Sequence, residues 1–133
     1  MLKCVNEIKD VPAAIGPYSQ AVWTGDYLFV SGQVPIDPAT GRLVEGGIAE
    51  QTDQVLTNIR ALLKSQGLDY ANVAKATVFL TDLSSFQTVN QIYARHLEDN
   101  KPARATVQVA ALPLGALIEI EVVAYRTAQA QSF

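Results

Sequence analysis

VAKATVFLT (residues 73–81), SSFQTVNQIYARHL (84–97), RATVQVA (104–110) and LIEIEVVAY (117–125) decide the fold. Along them the hydrophobic period switches from two to about 3.6 and back to two. In the first stretch Ala74, Ala76, Val78 and Leu80 alternate with Lys75, Thr77, Phe79 and Thr81, the pattern of a strand with one face more buried. In the second, Phe86, Val89, Tyr93 and Leu97 form a helical stripe, and Ser84 with Gln87 has the spacing of a capping box. In the last two, Arg104, Thr106 and Gln108 oppose Ala105, Val107 and Val109, while Glu119 and Glu121 oppose Ile118, Ile120 and Val122. Joined around Pro113 and Gly115, these two strands read as a hairpin. One odd-sum register then puts the apolar side chains under the helices and gathers the polar ones on the other face.

Upstream, Ile48, Thr52, Val55, Leu56, Ile59, Leu62 and Leu63 fall on a second helical stripe, with Gly67 where a helix C-cap belongs. Residues 18–23 and 27–31 flank Thr24-Gly25-Asp26 and predict a hairpin. Residues 32–47, with four Gly, two Pro and Asp37, have loop composition, and residues 2–6 suit a short strand. The order ββαβαββ predicts an α+β fold, a mixed β-sheet with two helices packed on one face, formed by a single domain over residues 1–133.

Composition narrows the function. The chain of 133 residues carries 10 Lys+Arg against 13 Asp+Glu, a net charge of −3, with the basic residues scattered singly. That pattern leaves no electrostatic footprint for nucleic acid. The longest apolar run, Val109 to Ile118, holds Pro113 and Gly115 and is far shorter than the ~18 residues of a membrane span. A lone Cys4, with Lys3, Glu7, Lys9 and Asp10 crowding the start, predicts neither disulfides nor a secretory leader and points to the cytoplasm. At 49% hydrophobic and only 17% charged, the sequence has apolar surface to spare for a subunit interface.

Few groups invite chemistry. One His and one Cys, without an acid cluster at ligand spacing, argue against a metal site, and no cofactor motif is present. His96 reads as a solvated residue near a helix end, and Cys4 as a buried or simply free thiol. Arg104 is a ready fork for a carboxylate, although an ion pair with Glu119 or Glu121 fits the pattern as well. Glu119 can orient water or donate a proton, or be merely solvated. The residues alone lead to an anion-accepting cleft without metal, nucleotide motif or covalent nucleophile.

GPYSQA (16–21), VSGQVP (30–35), TVFLTDLSSF (77–86), KPARATVQVAALP (101–113) and IEIEVVA (118–124) together resemble the Rid (YjgF/RidA) family, the reactive intermediate deaminases. The resemblance implies a chorismate-mutase-like fold and a homotrimer with clefts between subunits. It also implies hydrolysis of the 2-imino and enamine acids released by pyridoxal-phosphate enzymes, such as 2-aminoacrylate/2-iminopropanoate, to pyruvate and ammonia. By the same resemblance Arg104 grips the substrate carboxylate and Glu119 holds the attacking water. Tyr18, Ser31 and Gly32 line the cleft, Gly32 through its backbone. Thr106 stands where many bacterial members have Cys, so no thiolate role carries over, and a hydroxyl or backbone contact is left for it. Phe86 either lines the cleft or belongs to the core. Two other activities are compatible with these residues, namely a regulatory protein that binds 2-oxo acids without catalysis and an endoribonuclease, the latter disfavoured by the acidic balance.

Overall fold

In the computed structural model, which describes residues 2–127, the apolar runs become strands and helices that share one core. The strands are β1 (Lys3–Val5), β2 (Ala21–Thr24), β3 (Tyr27–Gln33), β4 (Ile36–Asp37), β5 (Arg42–Leu43), β6 (Val73–Leu80), β7 (Ala103–Gln108) and β8 (Ile118–Tyr125). The helices are α1 (Ile48–Ser65) and α2 (Phe86–Leu97). Six strands form a mixed sheet in the order β1-β2-β3-β8-β6-β7, in which only β6 and β7 run parallel. The expected loop at 32–47 contains a two-residue ladder, β4 with β5. The hairpin around Thr24-Gly25-Asp26 and the short first strand form as expected.

α1 ends as its sequence predicts: Gly67 adopts φ +77°, and its N–H donates to the carbonyl of Lys64. At its other end the Glu50 carboxylate accepts from the Gly47 N–H at 2.9 Å. The start of α2 differs from expectation. Asp82 takes the Ser84 N–H at 2.9 Å and caps a short 3-10 turn, Leu83–Ser85, so the Ser84–Gln87 box does not form and α2 begins only at Phe86. No helix among the described residues is long and apolar enough to cross a membrane.

The predicted hairpin of the last two strands is not there. β8 pairs antiparallel with both β3 and β6, so β6 lies between β8 and β7. The reason is topological: a strand–helix–strand unit, β6-α2-β7, places its two strands parallel and side by side, leaving the opposite edge of β6 to β8. This pairing also reverses the faces of β7. Arg104 is registered with Ala76 and Thr106 with Val78, both fully covered by the helices, so Arg104 and Thr106 turn toward α2. Ala105 and Val107 turn to the open face instead.

The helix-covered face is the core. Ile118, Ile120, Val122 and Ala124 of β8 meet Leu28, Val78 and Leu80 of neighbouring strands and Val55, Leu56, Ile59, Leu62 and Leu63 of α1, all essentially buried. Burial of such side chains is worth roughly 1.5–3 kcal/mol each. The other face carries Phe29 at 47% exposure, Val107 at 42%, and Tyr27 packed against Tyr125 with ring centroids 5.0 Å apart and the rings tilted by 59°. Apolar groups at that exposure on one sheet face form a surface suited to association.

Candidate functional site

Two adjacent irregularities build the carboxylate half of the site. Val30 is registered with Val122 and Gln33 with Ile120, so Ser31 and Gly32 together oppose Glu121, a β-bulge. The Ser31 hydroxyl donates to the Ser19 carbonyl at 2.6 Å, and its N–H donates to the Gln20 carbonyl at 3.0 Å, which fixes the bulge. Glu119, from the open face of β8, packs directly over Gly32, where a Cβ would overlap the Glu119 carboxylate. Glycine is required here for space. Gly32→Ala is therefore expected to displace Glu119 at near-normal stability and to lower turnover by up to about 10²-fold, the penalty that a misplacement of about 1 Å near the chemistry can carry. Unchanged kcat would show that the approach of Glu119 to Gly32 has no bearing on rate.

Tyr18, Ser31, Gly32, Val34, Pro113, Glu119 and Glu121 line a cavity of about 470 Å³. Tyr18 is exposed, and its hydroxyl accepts from the Ile15 N–H at 3.3 Å. Burial, and secondarily the charge of Glu121, pushes the Glu119 carboxyl above its ordinary range. Among the described residues neither Glu119 nor Glu121 has a salt-bridge partner. A carboxyl group perturbed in this way inside a cavity is a candidate for proton exchange.

Arg104 sits elsewhere. Its guanidinium donates to Asn90 Oδ1 at 2.7 Å and lies 4.8 Å from the ring centroid of Tyr93 and 5.6 Å from that of Phe86. Phe86, Asn90 and Tyr93 recur at helical spacing on α2, so one helix face forms the cage. Phe86 is 41% exposed and thus belongs to the Arg104 site rather than to the core. Thr106 shares this side, its hydroxyl buried and without a hydrogen-bond partner. The ion pair of Arg104 with Glu119 or Glu121 that the sequence also allowed is absent. Glu119 is registered with Phe79, on the opposite face of the sheet, about 10 Å along the strands and two strand spacings away.

The structure therefore brings Tyr18, Ser31, Gly32 and Glu119 together and leaves Arg104 and Thr106 apart from them. Sequence reasoning missed Asn90 and Tyr93, whose signal was a polar residue interrupting the apolar stripe of α2 three positions before an aromatic. It also missed Glu121 as a neighbour of Glu119. His96, expected to be solvated, instead meets Asp53 Oδ1 of α1 at 2.7 Å, with its side chain 18% exposed. Cys4 is free and exposed.

Comparison with known proteins places these features in a family. The sequence pattern of the endoribonuclease L-PSP family matches residues 8–126. A cattle (Bos taurus) protein named 2-iminobutanoate/2-iminopropanoate deaminase is 54% identical over 85% of this chain and 82% of its own length. A crystal structure of a Rid family protein from Yersinia pestis superposes with a TM-score of 0.91 at 48% identity, covering 95% of this chain and 100% of that one. Escherichia coli TdcF, solved with bound serine, gives a TM-score of 0.88 at 38% identity over 94% of this chain and 100% of its own. With its mixed sheet, its two helices and nearly all of its length matched, the chain belongs to the Rid family, known also as the endoribonuclease L-PSP family.

Proposed function

We propose that the protein deaminates reactive 2-imino acids such as 2-iminopropanoate, and that it does so as a homotrimer of chorismate-mutase-like subunits with clefts between copies. One observation carries the reading. A carboxyl group held above its usual range and a caged guanidinium, the two groups such a reaction needs, occupy opposite faces of one subunit. A three-carbon acid cannot span them within one copy, so the reading requires Arg104 of one copy to face Glu119 of the next. The exposed Phe29, Val107, Tyr27 and Tyr125 supply apolar surface for that contact. Identity of about half to proteins named 2-iminobutanoate/2-iminopropanoate deaminase supports the choice of reaction.

In this mechanism Arg104 forks the substrate carboxylate and positions C2. Glu119 removes a proton from water as the C–O bond forms at C2 and passes it to nitrogen, giving a carbinolamine; it then takes the carbinolamine hydroxyl proton to nitrogen as the C–N bond breaks and the carbonyl forms. Water and 2-iminopropanoate become pyruvate and ammonia, with no external redox partner. Tyr18 and the Ser31–Gly32 bulge shape the wall opposite. The endoribonuclease name of the family fits this cleft poorly, because two carboxylates of each copy line it and the reading brings to it a single guanidinium, Arg104 of the next copy, which is little positive charge for a polyanion.

The test is ammonia release from imines generated in situ by an amino-acid oxidase, with and without the protein. Acceleration supports the deaminase. Binding of 2-oxobutyrate without acceleration would instead make the protein a 2-oxo-acid-binding regulator. In light scattering the assembly is expected near 43 kDa, three subunits of 14.3 kDa. A monomer at micromolar concentration would overturn the shared cleft.

A further inference from the structure

We propose that Glu121 is the charge-selecting residue of this cleft: it turns the site against substrates bearing a second carboxylate and toward those presenting a cationic nitrogen, an inference that rests on the deaminase reading above. Glu121 lies two residues after Glu119 on β8, so both side chains leave the same face of the sheet, and both line the 470 Å³ cavity. The bulge at Ser31 and Gly32 lies directly across from Glu121, and both of its residues line the same cavity. No Lys or Arg lines the cavity. The nearest base on this face by register is Lys75, opposite Val123 and diagonal to Glu121, with no salt bridge to either carboxylate. Across from Glu121 and Glu119 on β6 are the uncharged Thr77 and Phe79, and Tyr18 contributes a phenol. Within one copy the negative charge of this wall is therefore not neutralised from any neighbouring element, and the guanidinium that Arg104 of the next copy brings is taken up by the substrate carboxylate.

The substrate brings one carboxylate and one nitrogen that carries positive charge as an iminium. With its carboxylate at Arg104 and C2 at Glu119, the substituent on C2 has the Glu121 end of the cavity to occupy. An alkyl group there is indifferent to Glu121, whereas a side-chain carboxylate is repelled. The same charge favours the iminium form and adds to the proton affinity of Glu119. A unit charge roughly 8 Å away, at an effective dielectric of about 30, changes relative affinity about tenfold.

The experiment compares wild type, Glu121→Gln and Glu121→Asp on imines made in situ from L-alanine and from L-glutamate. The dissociation constants of 2-oxobutyrate and 2-oxoglutarate are measured in parallel. The preference in kcat/KM for the alanine-derived imine is expected to fall about tenfold in Glu121→Gln and to hold in Glu121→Asp, with the ratio of the two dissociation constants moving in the same way. In wild type the preference should narrow as ionic strength rises from about 0.05 to about 0.5 M, a readout that survives even if Glu121→Gln fails to assemble. Ratios unchanged in Glu121→Gln, or insensitive to salt in wild type, overturn the assignment. Wild type that hydrolyses neither imine overturns the deaminase reading, and the 2-oxo acid ratio then decides the role of Glu121 independently.

Discussion

Glu119→Gln is expected to lower imine turnover on the order of 10²-fold or more while leaving 2-oxobutyrate binding nearly intact. The amide keeps the size of the side chain and its place over Gly32 but cannot take the proton from water. Geometry makes this separation of kcat from binding a sharp test, because the carboxylate grip is assigned to Arg104 on the other face of the sheet. Stability should move the opposite way. Burial and Glu121 raise the Glu119 carboxyl above its unfolded-state value, so the folded state binds that proton more tightly. The contribution of Glu119 to stability is thus fully present at low pH and declines as pH rises from the unfolded value through the higher folded one. At neutral pH the charged side chain is a burden on the fold, and Glu119→Gln should melt higher than wild type there. The difference should shrink as pH falls below the ordinary Glu pKa of about 4.3, where both states come to hold the proton. Equal turnover by wild type and Glu119→Gln would remove this residue from the chemistry.

The elements and the β2–β3 hairpin were legible in the sequence, and the pairing of the last three strands of the sheet was not. Period-two runs located β6, β7 and β8 to within a residue or two, and Gly67 marked the end of α1, because these signals are local. Alternation says that Arg104 and Val107 take opposite faces. It does not say which face is covered, since that depends on which strand becomes the neighbour. The hairpin expectation matched polar with polar across β7 and β8, whereas the parallel partner of β7 is β6, and the crossover through α2 turned the polar row inward. The same displacement hid Asn90 and Tyr93, whose relevance exists only once α2 lies over Arg104. Gly32 was named from family resemblance alone, Glu119 from the polar face of its strand and then from the resemblance. The reason they belong together, a Cβ that would collide with a carboxylate, is a three-dimensional fact with no sequence signature.

Arg104→Ala should weaken 2-oxo acid binding by roughly 30-fold or more and reduce imine turnover with it. Truncating one partner of a desolvated charge pair costs ~2–5 kcal/mol, at ~1.4 kcal/mol per decade of affinity. The structure sharpens this expectation by removing its rival. Were Arg104 paired with Glu119 or Glu121, its loss would strand a carboxylate and lower stability, but its hydrogen-bond acceptor is the neutral Asn90 amide. It sits half-buried on β7, the last strand of the sheet, between the rings of Phe86 and Tyr93. Removing it strands no charge, and the fold and assembly should survive. Arg104→Lys should recover only part of the affinity, because an ammonium lacks the planar fork that pairs both carboxylate oxygens while stacking on a ring. The decisive measurement sets 2-oxobutyrate titration beside thermal unfolding for wild type and both variants. Normal binding by a folded Arg104→Ala protein would sink the clamp, whereas lost binding at unchanged melting temperature ties the caged guanidinium to the ligand and not to the fold.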